Sequence, residues 1–229
     1  MVEKKRAVIF DMDGTLIDSV DQHARSWQET FRHFGIDVPF EAVRGQIGKG
    51  GDQLMPVFVD RDTLERRGKE IESFRMDLFK RKYLPTVKPF PGVRDLFERL
   101  KADGIAIALA SSAKPEELQT YKEIVGIADL LDTETSSGDA KKSKPHPDIF
   151  QAALDRLPGI DRNDIVVVGD SPYDAEAAGK IGLKTVGVLC GGFPEAELRR
   201  AGCIEIYRDP EDLLRRYADS PLAAPASVG

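Results

Sequence analysis

The stretch Val8 to Ser19, VIFDMDGTLIDS, sets two aspartates, Asp11 and Asp13, two positions apart at the end of an apolar run. A carboxylate is expensive to bury unless something pairs with it, so this placement asks for a chemical reason. Three more polar signatures follow strand-like runs or lie between them: Ser111-Ser112, Lys144 in KKSKPHPD, and Gly169-Asp170-Ser171-Pro172-Tyr173-Asp174. Asp11 and Asp170 supply hard oxygen ligands of the kind Mg²⁺ takes alongside waters and a phosphate. Lys144 can neutralise charge on a nucleophilic carboxylate and on a phosphate. The Ser111 hydroxyl and backbone N–H groups near Met12, Asp13 and Ser112 can donate to phosphoryl oxygens. A few carboxylates and one lysine suit phosphoryl chemistry better than zinc chemistry.

In that chemistry the two aspartates divide the work. A metal-bound Asp11 stays ionised and attacks phosphorus, giving an aspartyl phosphate. Asp13 gives a proton to the leaving oxygen and later takes one from water. Gly14 permits the tight turn that follows.

These residues need elements to hold them. Ala7 to Phe10, Ile105 to Ala110, Ile165 to Val168, Thr185 to Leu189 and Ile204 to Tyr207 read as short strands. Their apolar runs are continuous rather than alternating, which predicts strands covered on both faces. Helical patterns lie between them, at Val93 to Ala102, Pro115 to Val125, Pro147 to Arg156 and Ala175 to Ile181. The expected fold class is therefore α/β, a Rossmann-like parallel sheet. In such sheets ligands bind beyond the carboxyl ends of the strands, so the polar signatures should gather on one rim.

The region from about Asp18 to Tyr83 breaks the alternation. Val20, Ala24, Trp27, Phe31 and Phe34 recur at helical spacing, with Gly35 as a natural end. Glu41 to Gln46, Gln53 to Val59 and Asp62 to Lys82 also read as helical, the last weakened by Gly68. The expectation is a core made of residues 1–17 and 88–229, with a helical cap inserted over 18–87. Pro85, Pro89, Pro91 and Gly92 mark the return linker. The end, SPLAAPASVG, reads as a disordered tail.

The 229 residues carry a net charge of −6, which argues against a nucleic-acid partner. No apolar stretch reaches membrane-spanning length, and the run before Asp11 is too short for a signal-peptide core, so a cytoplasmic location is the expectation. Cys190 and Cys203 stand outside any metal-binding spacing and read as packing residues.

Four ordered motifs resemble those of the haloacid dehalogenase superfamily, and the match covers nearly the whole length. DMDGT is similar to its first motif, ALASSAK to its second, SKPHPDIF to its third and GDSPYDAEAA to its fourth. The segment after the first motif resembles the helical cap of the phosphoglycolate phosphatase and β-phosphoglucomutase subgroup. The resemblance implies Asp11 as nucleophile, Asp13 as acid/base, and Mg²⁺ held by Asp11, the Asp13 carbonyl and Asp170, with Asp174 in support. It implies Ser111 and Lys144 as phosphate ligands, with a backbone contribution from Ser112. An acid at position 13 disfavours dehalogenation. Gly169 stands where the mutases often carry Glu, which favours a phosphatase over a phosphomutase. A phosphometabolite-binding regulator is the alternative outside enzymes.

His23 lies where related mutases and some sugar phosphatases carry a histidine near the hinge; a packed helix histidine is the competing reading. Asp174 can equally cap the helix that follows it. The segment RGQIGKGGDQL misses the Walker pattern, yet Arg44 or Lys49 in it can reach the distal part of a substrate; a plain helix–helix connection is the alternative. The expected partner is a small phosphorylated metabolite, acted on by a monomer or small homo-oligomer.

Overall fold

The computed structural model describes residues 6–223. In chain order the elements are β1 (Ala7–Phe10), β2 (Ile17–Asp18), α1 (Val20–His33), α2 (Phe40–Arg44), α3 (Gly51–Phe58), α4 (Arg61–Leu78), β3 (Lys88–Pro89), α5 (Val93–Ala102), β4 (Ala106–Ala110), α6 (Pro115–Val125), β5 (Thr133–Thr135), α7 (Asp148–Asp155), β6 (Ile165–Gly169), α8 (Pro172–Gly179), β7 (Lys184–Val188), α9 (Glu195–Ala201), β8 (Cys203–Tyr207) and α10 (Pro210–Arg215). Six strands form one parallel sheet in the order β5-β4-β1-β6-β7-β8.

The central β1 shows why its sequence is apolar throughout. Val8 and Phe10 face one layer with Leu96, Phe97 and Leu109, while Ala7 and Ile9 face the other with Ile149, Phe150 and Val167. Helices cover both sides, so no strand position can be polar until the strand ends at Asp11. The residue pairs Phe10↔Leu109 and Phe10↔Val168 bring the ends of β4, β1 and β6 level. That register gathers the polar signatures on one rim, as the sequence predicts.

Helices α1 to α4 add no strand to this sheet and share an apolar cluster of their own, built on Val20, Ala24, Trp27, Phe31, Leu54 and Ile71. The predicted end of α1 holds: Gly35 has φ +79°, and the Ile36 N–H closes on the Phe31 carbonyl at 2.8 Å. Helix α4 runs through Gly68 and continues as a wider π-helical turn over Phe79–Tyr83. Its N-cap Asp60 accepts from the Thr63 N–H at 2.9 Å. Among the described residues, no helix is long and apolar enough to cross a membrane.

Two features differ from the sequence reading. β5 and the antiparallel β2–β3 pair were not expected; Thr133–Thr135 is three polar-leaning residues at a sheet edge, and β2 and β3 have two residues each. The expected disordered tail begins too early. Leu222 is buried in the core beside Tyr217, and Arg6 donates to the carbonyls of Pro221 (2.8 Å) and Leu222 (3.1 Å). Residues 224–229 of that tail lie outside the described residues.

Candidate active site

Asp11 leaves β1 with its N–H on the Val168 carbonyl, 2.9 Å away. Its side chain is 3 % exposed and accepts from Lys144 Nζ at 2.5 Å. The same ammonium donates to Asp174 Oδ1 at 2.7 Å, and Lys144 is itself 1 % exposed. Asp170 follows β6, and its Oδ1 accepts from the Thr15 hydroxyl at 3.3 Å. Asp11, Asp170 and Asp174 each bring an oxygen within 4.8 Å of the others. Asp174 also completes a capping box for α8: its Oδ2 accepts from the Ser171 N–H (3.1 Å) and hydroxyl (2.6 Å). It both caps α8 and holds the lysine.

Three buried carboxylates against one ammonium leave two negative charges uncompensated. Burial pushes the Asp11 carboxyl up to about 7, with the charges of Asp174 and Asp13 adding to the effect against the pull of Lys144. Burial and the charges of Asp174 and Asp11 hold Asp170 well above its ordinary value, against the pull of Lys144. Burial opposes the charge on Lys144, but Asp11 and Asp174 keep its ammonium above the usual range. An all-oxygen, net-negative, buried donor set fits a hard divalent cation.

The backbone around Asp170 is cut to fit it. A Cβ at Gly14, where φ is +77°, would lie 2.4 Å from Asp170 Oδ2, and one at Gly191 would lie 1.7 Å from the same atom. Gly191→Ala must therefore displace Asp170. Wild type is expected to gain in Tm on addition of Mg²⁺ and Gly191→Ala to lose most of that gain, read by calorimetry with and without the ion. Gly179→Ala, in α8 with nothing near its Cβ, should keep that rise.

Asp13 turns away from this cluster. Its Oδ1 accepts from the Ser19 hydroxyl at 2.6 Å and meets His23 Nε2 at 2.8 Å. The other ring nitrogen, Nδ1, faces the Arg75 guanidinium. A guanidinium only donates, so Nδ1 accepts and Nε2 carries the hydrogen given to Asp13. The Tyr121 oxygen, 3.2 Å from Nε2, donates its own hydrogen to Glu117 at 2.6 Å. Burial pushes the Asp13 carboxyl up, but His23, Ser19 and the charge of Arg75 outweigh it and hold the group below its ordinary value. The His23 ring stacks on Phe79 with centroids 4.2 Å apart, so the residue is packed as the helix reading expects while it also lines the cleft.

A cleft opens over Asp11, Asp13 and Lys144, lined also by His23, Trp27 and Arg75. Ser112 lines it with a buried hydroxyl that has no partner. The Ser111 hydroxyl accepts from the Ala113 N–H at 3.1 Å, which leaves its own hydrogen free to donate; Ser111 is not among the cleft-lining residues. Lys49 lines the cleft. Arg44 does not: its Nε donates to Asp21 (2.7 Å) and its Nη2 to the Gly191 carbonyl (3.1 Å), which fastens α2 to the loop after β7. Tyr173 to the Gly45 carbonyl (2.6 Å), the Ser143 N–H to Asp52 (3.1 Å) and Lys114 to Glu72 (3.3 Å) make similar fastenings.

Sequence reasoning missed Arg75, Glu72, Lys114, Glu117 and Tyr121, and read Trp27 as core alone. Glu117 and Tyr121 sit one turn apart on the helix that follows Ser111-Ser112, a spacing that carries a signal. Arg75 is one of many charged residues in α4, and nothing in its neighbours distinguishes it. Neither cysteine is poised to react: burial pushes the Cys203 thiol up to about 12 and the Cys190 thiol further still.

The profile of the haloacid dehalogenase-like hydrolases matches residues 8–188. The chain is 31 % identical over 191 residues to a phosphoglycolate phosphatase of Yersinia pseudotuberculosis, covering 81 % of this chain and 82 % of that one. It is 27 % identical over 213 residues to a phosphorylated carbohydrates phosphatase of Thermotoga maritima, covering 91 % and 96 %. A hydrolase structure from Pseudomonas syringae superposes with a TM-score of 0.83 at 27 % identity, over 93 % of this chain and 98 % of that one. With a family match spanning most of its length and the four motifs gathered on one sheet rim, the chain belongs to the haloacid dehalogenase-like hydrolase family.

Proposed function

We propose that the protein is a Mg²⁺-dependent phosphatase that hydrolyses a small phosphorylated metabolite through an aspartyl phosphate on Asp11. The observation that carries this reading is the pairing of Lys144 with Asp11 and Asp174 beside Asp170, at the floor of a cleft that Asp13 also lines. Asp11, the Asp13 carbonyl and Asp170 would hold the ion, supported by Asp174. When bound, Mg²⁺ offsets the surplus negative charge and draws electron density from a phosphoryl oxygen.

Lys144 holds Asp11 in place and lies where it can meet a phosphoryl oxygen. The Ser112 hydroxyl, buried without a partner, offers another donor, and the Ser111 hydroxyl, which accepts from Ala113, keeps a hydrogen to give to phosphate. An Asp11 oxygen forms a bond to phosphorus as the bond to the ester oxygen breaks. The leaving oxygen takes a proton from Asp13. Asp13 rests ionised, so that proton is one it acquires as the phosphate's negative charge arrives beside it. In the second half, Asp13 takes a proton from water as the water oxygen attacks phosphorus, which frees Asp11 and releases inorganic phosphate. Ser19 and His23 aim the Asp13 carboxylate throughout.

Residues 18–87 act as a cap that shuts the cleft and excludes bulk water. The names of the two relatives favour hydrolysis over phosphoryl relocation within a sugar. The test is phosphate release from a panel of phosphorylated metabolites and an aryl phosphate, with Mg²⁺ and with chelator. Release that depends on the ion is expected. Silence across the panel with Mg²⁺ present, from folded protein, would refute the proposal.

A further inference from the structure

Two cations line the cleft with no carboxylate in contact among the described residues, and neither takes part in the phosphoryl steps above. The Arg75 guanidinium lies over the Trp27 ring at 5.3 Å and the Phe79 ring at 4.9 Å, and its Nε is buried with no partner. Among the described residues its one polar contact is His23 Nδ1, and its charge acts on Asp13 from beyond hydrogen-bond contact. Lys49 Nζ donates to the neutral side-chain carbonyl of Gln46 at 2.6 Å and stands 4.7 Å from the Tyr173 ring centre. Glu176 acts on it from beyond contact. The other two cleft lysines are matched, Lys144 by Asp11 and Asp174 and Lys114 by Glu72.

A sheltered cation without a counter-ion is costly to maintain, and it becomes favourable when a ligand supplies the missing charge. A guanidinium suits a planar or tetrahedral oxyanion through its fork of donors. Arg75 stands one imidazole ring beyond Asp13. A group meeting it therefore belongs to the leaving fragment, a short chain away from the oxygen that Asp13 protonates. Hydroxyl groups alone would leave both cations unmatched.

We infer that the cleft selects phosphate esters whose leaving group carries a second oxyanion, a carboxylate or a phosphoryl group, held by Arg75 and Lys49. This rests on the phosphatase reading and narrows it, since a neutral phosphorylated sugar lacks that second charge.

The experiment compares kcat/KM for phosphoglycolate, pyrophosphate and 2-hydroxyethyl phosphate, which keeps the size of the first but replaces its carboxylate with an alcohol. An aryl phosphate serves as the activity reference. The wild type should favour at least one of the two oxyanion substrates over the alcohol by about tenfold or more, the range of a charged hydrogen bond. Whichever of the two leads identifies the second group as carboxylate or phosphoryl. Arg75→Met and Lys49→Met should each narrow the ratio, mainly through KM, whatever happens to the absolute rates; Arg75→Lys should restore part of it. A wild-type ratio near one, with turnover measurable, overturns this inference and leaves the phosphatase reading standing. A ratio unchanged in both Met variants overturns the roles of Arg75 and Lys49. No release from any substrate, the aryl phosphate included, overturns the phosphatase reading and this inference together.

Discussion

Asp11→Asn is expected to lower phosphate release by about 10³-fold or more, as loss of a nucleophile does, while making the metal-free protein more stable. The first effect follows because an amide cannot form the phosphoenzyme. The second follows from the crowding of Asp11, Asp170 and Asp174 around one ammonium. The folded-state value of Asp11 stands near 7 against an ordinary 3.8. A carboxyl raised in this way binds its proton more tightly in the folded protein than in the unfolded one. The folded state is therefore favoured at low pH, and that advantage drains away as pH rises from about 4 to about 7. Metal-free wild type should lose up to about 4 kcal/mol across this window from Asp11 alone. Asp11→Asn removes that slope, so its Tm should exceed wild type by a margin that grows with pH up to about 7 and then levels. Calorimetry in chelator between pH 4 and 8 reads it, and Mg²⁺ should shrink the margin by stabilising the wild type. Retained phosphate release in this variant would end the case for Asp11 as nucleophile.

Lys144→Met has the opposite sign. Removing the one cation from a buried cluster leaves the carboxylates facing each other, and breaking a buried pair in this way typically costs about 3–5 kcal/mol. Lys144 donates to two of the three carboxylates and is 1 % exposed, so water cannot take over its role. Urea unfolding in chelator should show the loss, and phosphate release should disappear with it. The double variant Asp11→Asn with Lys144→Met tests the cause. If like-charge repulsion is responsible, Asp11→Asn gains more stability in the Lys144→Met background than in the wild type. An equal gain in both would point to packing of the lysine against Phe150, whose ring centre lies 5.4 Å from Nζ.

The parallel sheet was legible because β1, β4 and β6 are apolar at every position, which is what two covered faces demand. The convergence of Asp11 and Asp170 followed from where β1 and β6 stop, and Lys144 reaches them from the loop before α7. β5 escaped because an edge strand with one partner tolerates Thr-Glu-Thr. The short β2–β3 pair escaped because two residues carry no periodic signal. At the site, residue type alone could not tell Ser111 from Ser112; the turn after β4 gives the Ser111 hydroxyl the Ala113 N–H and leaves the Ser112 hydroxyl without a partner. Arg44 and Lys49 look equivalent in the sequence, and only the packing of α2 against the loop after β7 sends one outward and leaves the other in the cleft. Arg75 was invisible for a related reason: α4 is rich in charge, and its orientation depends on which face meets Trp27 and Phe79.

The sheet order has a bearing on how the chain reaches this shape. β1 is synthesised well before both of its neighbours: β4 begins at Ala106 and β6 at Ile165. Until the ribosome has delivered them, AVIF has two open edges and no partner. Helices α1 to α4 depend mostly on one another and can condense meanwhile. Nucleus formation in the sheet must therefore span long separations, which slows folding and leaves a sticky apolar strand exposed. Chaperone capture of nascent chains should persist until residues near 169 have emerged.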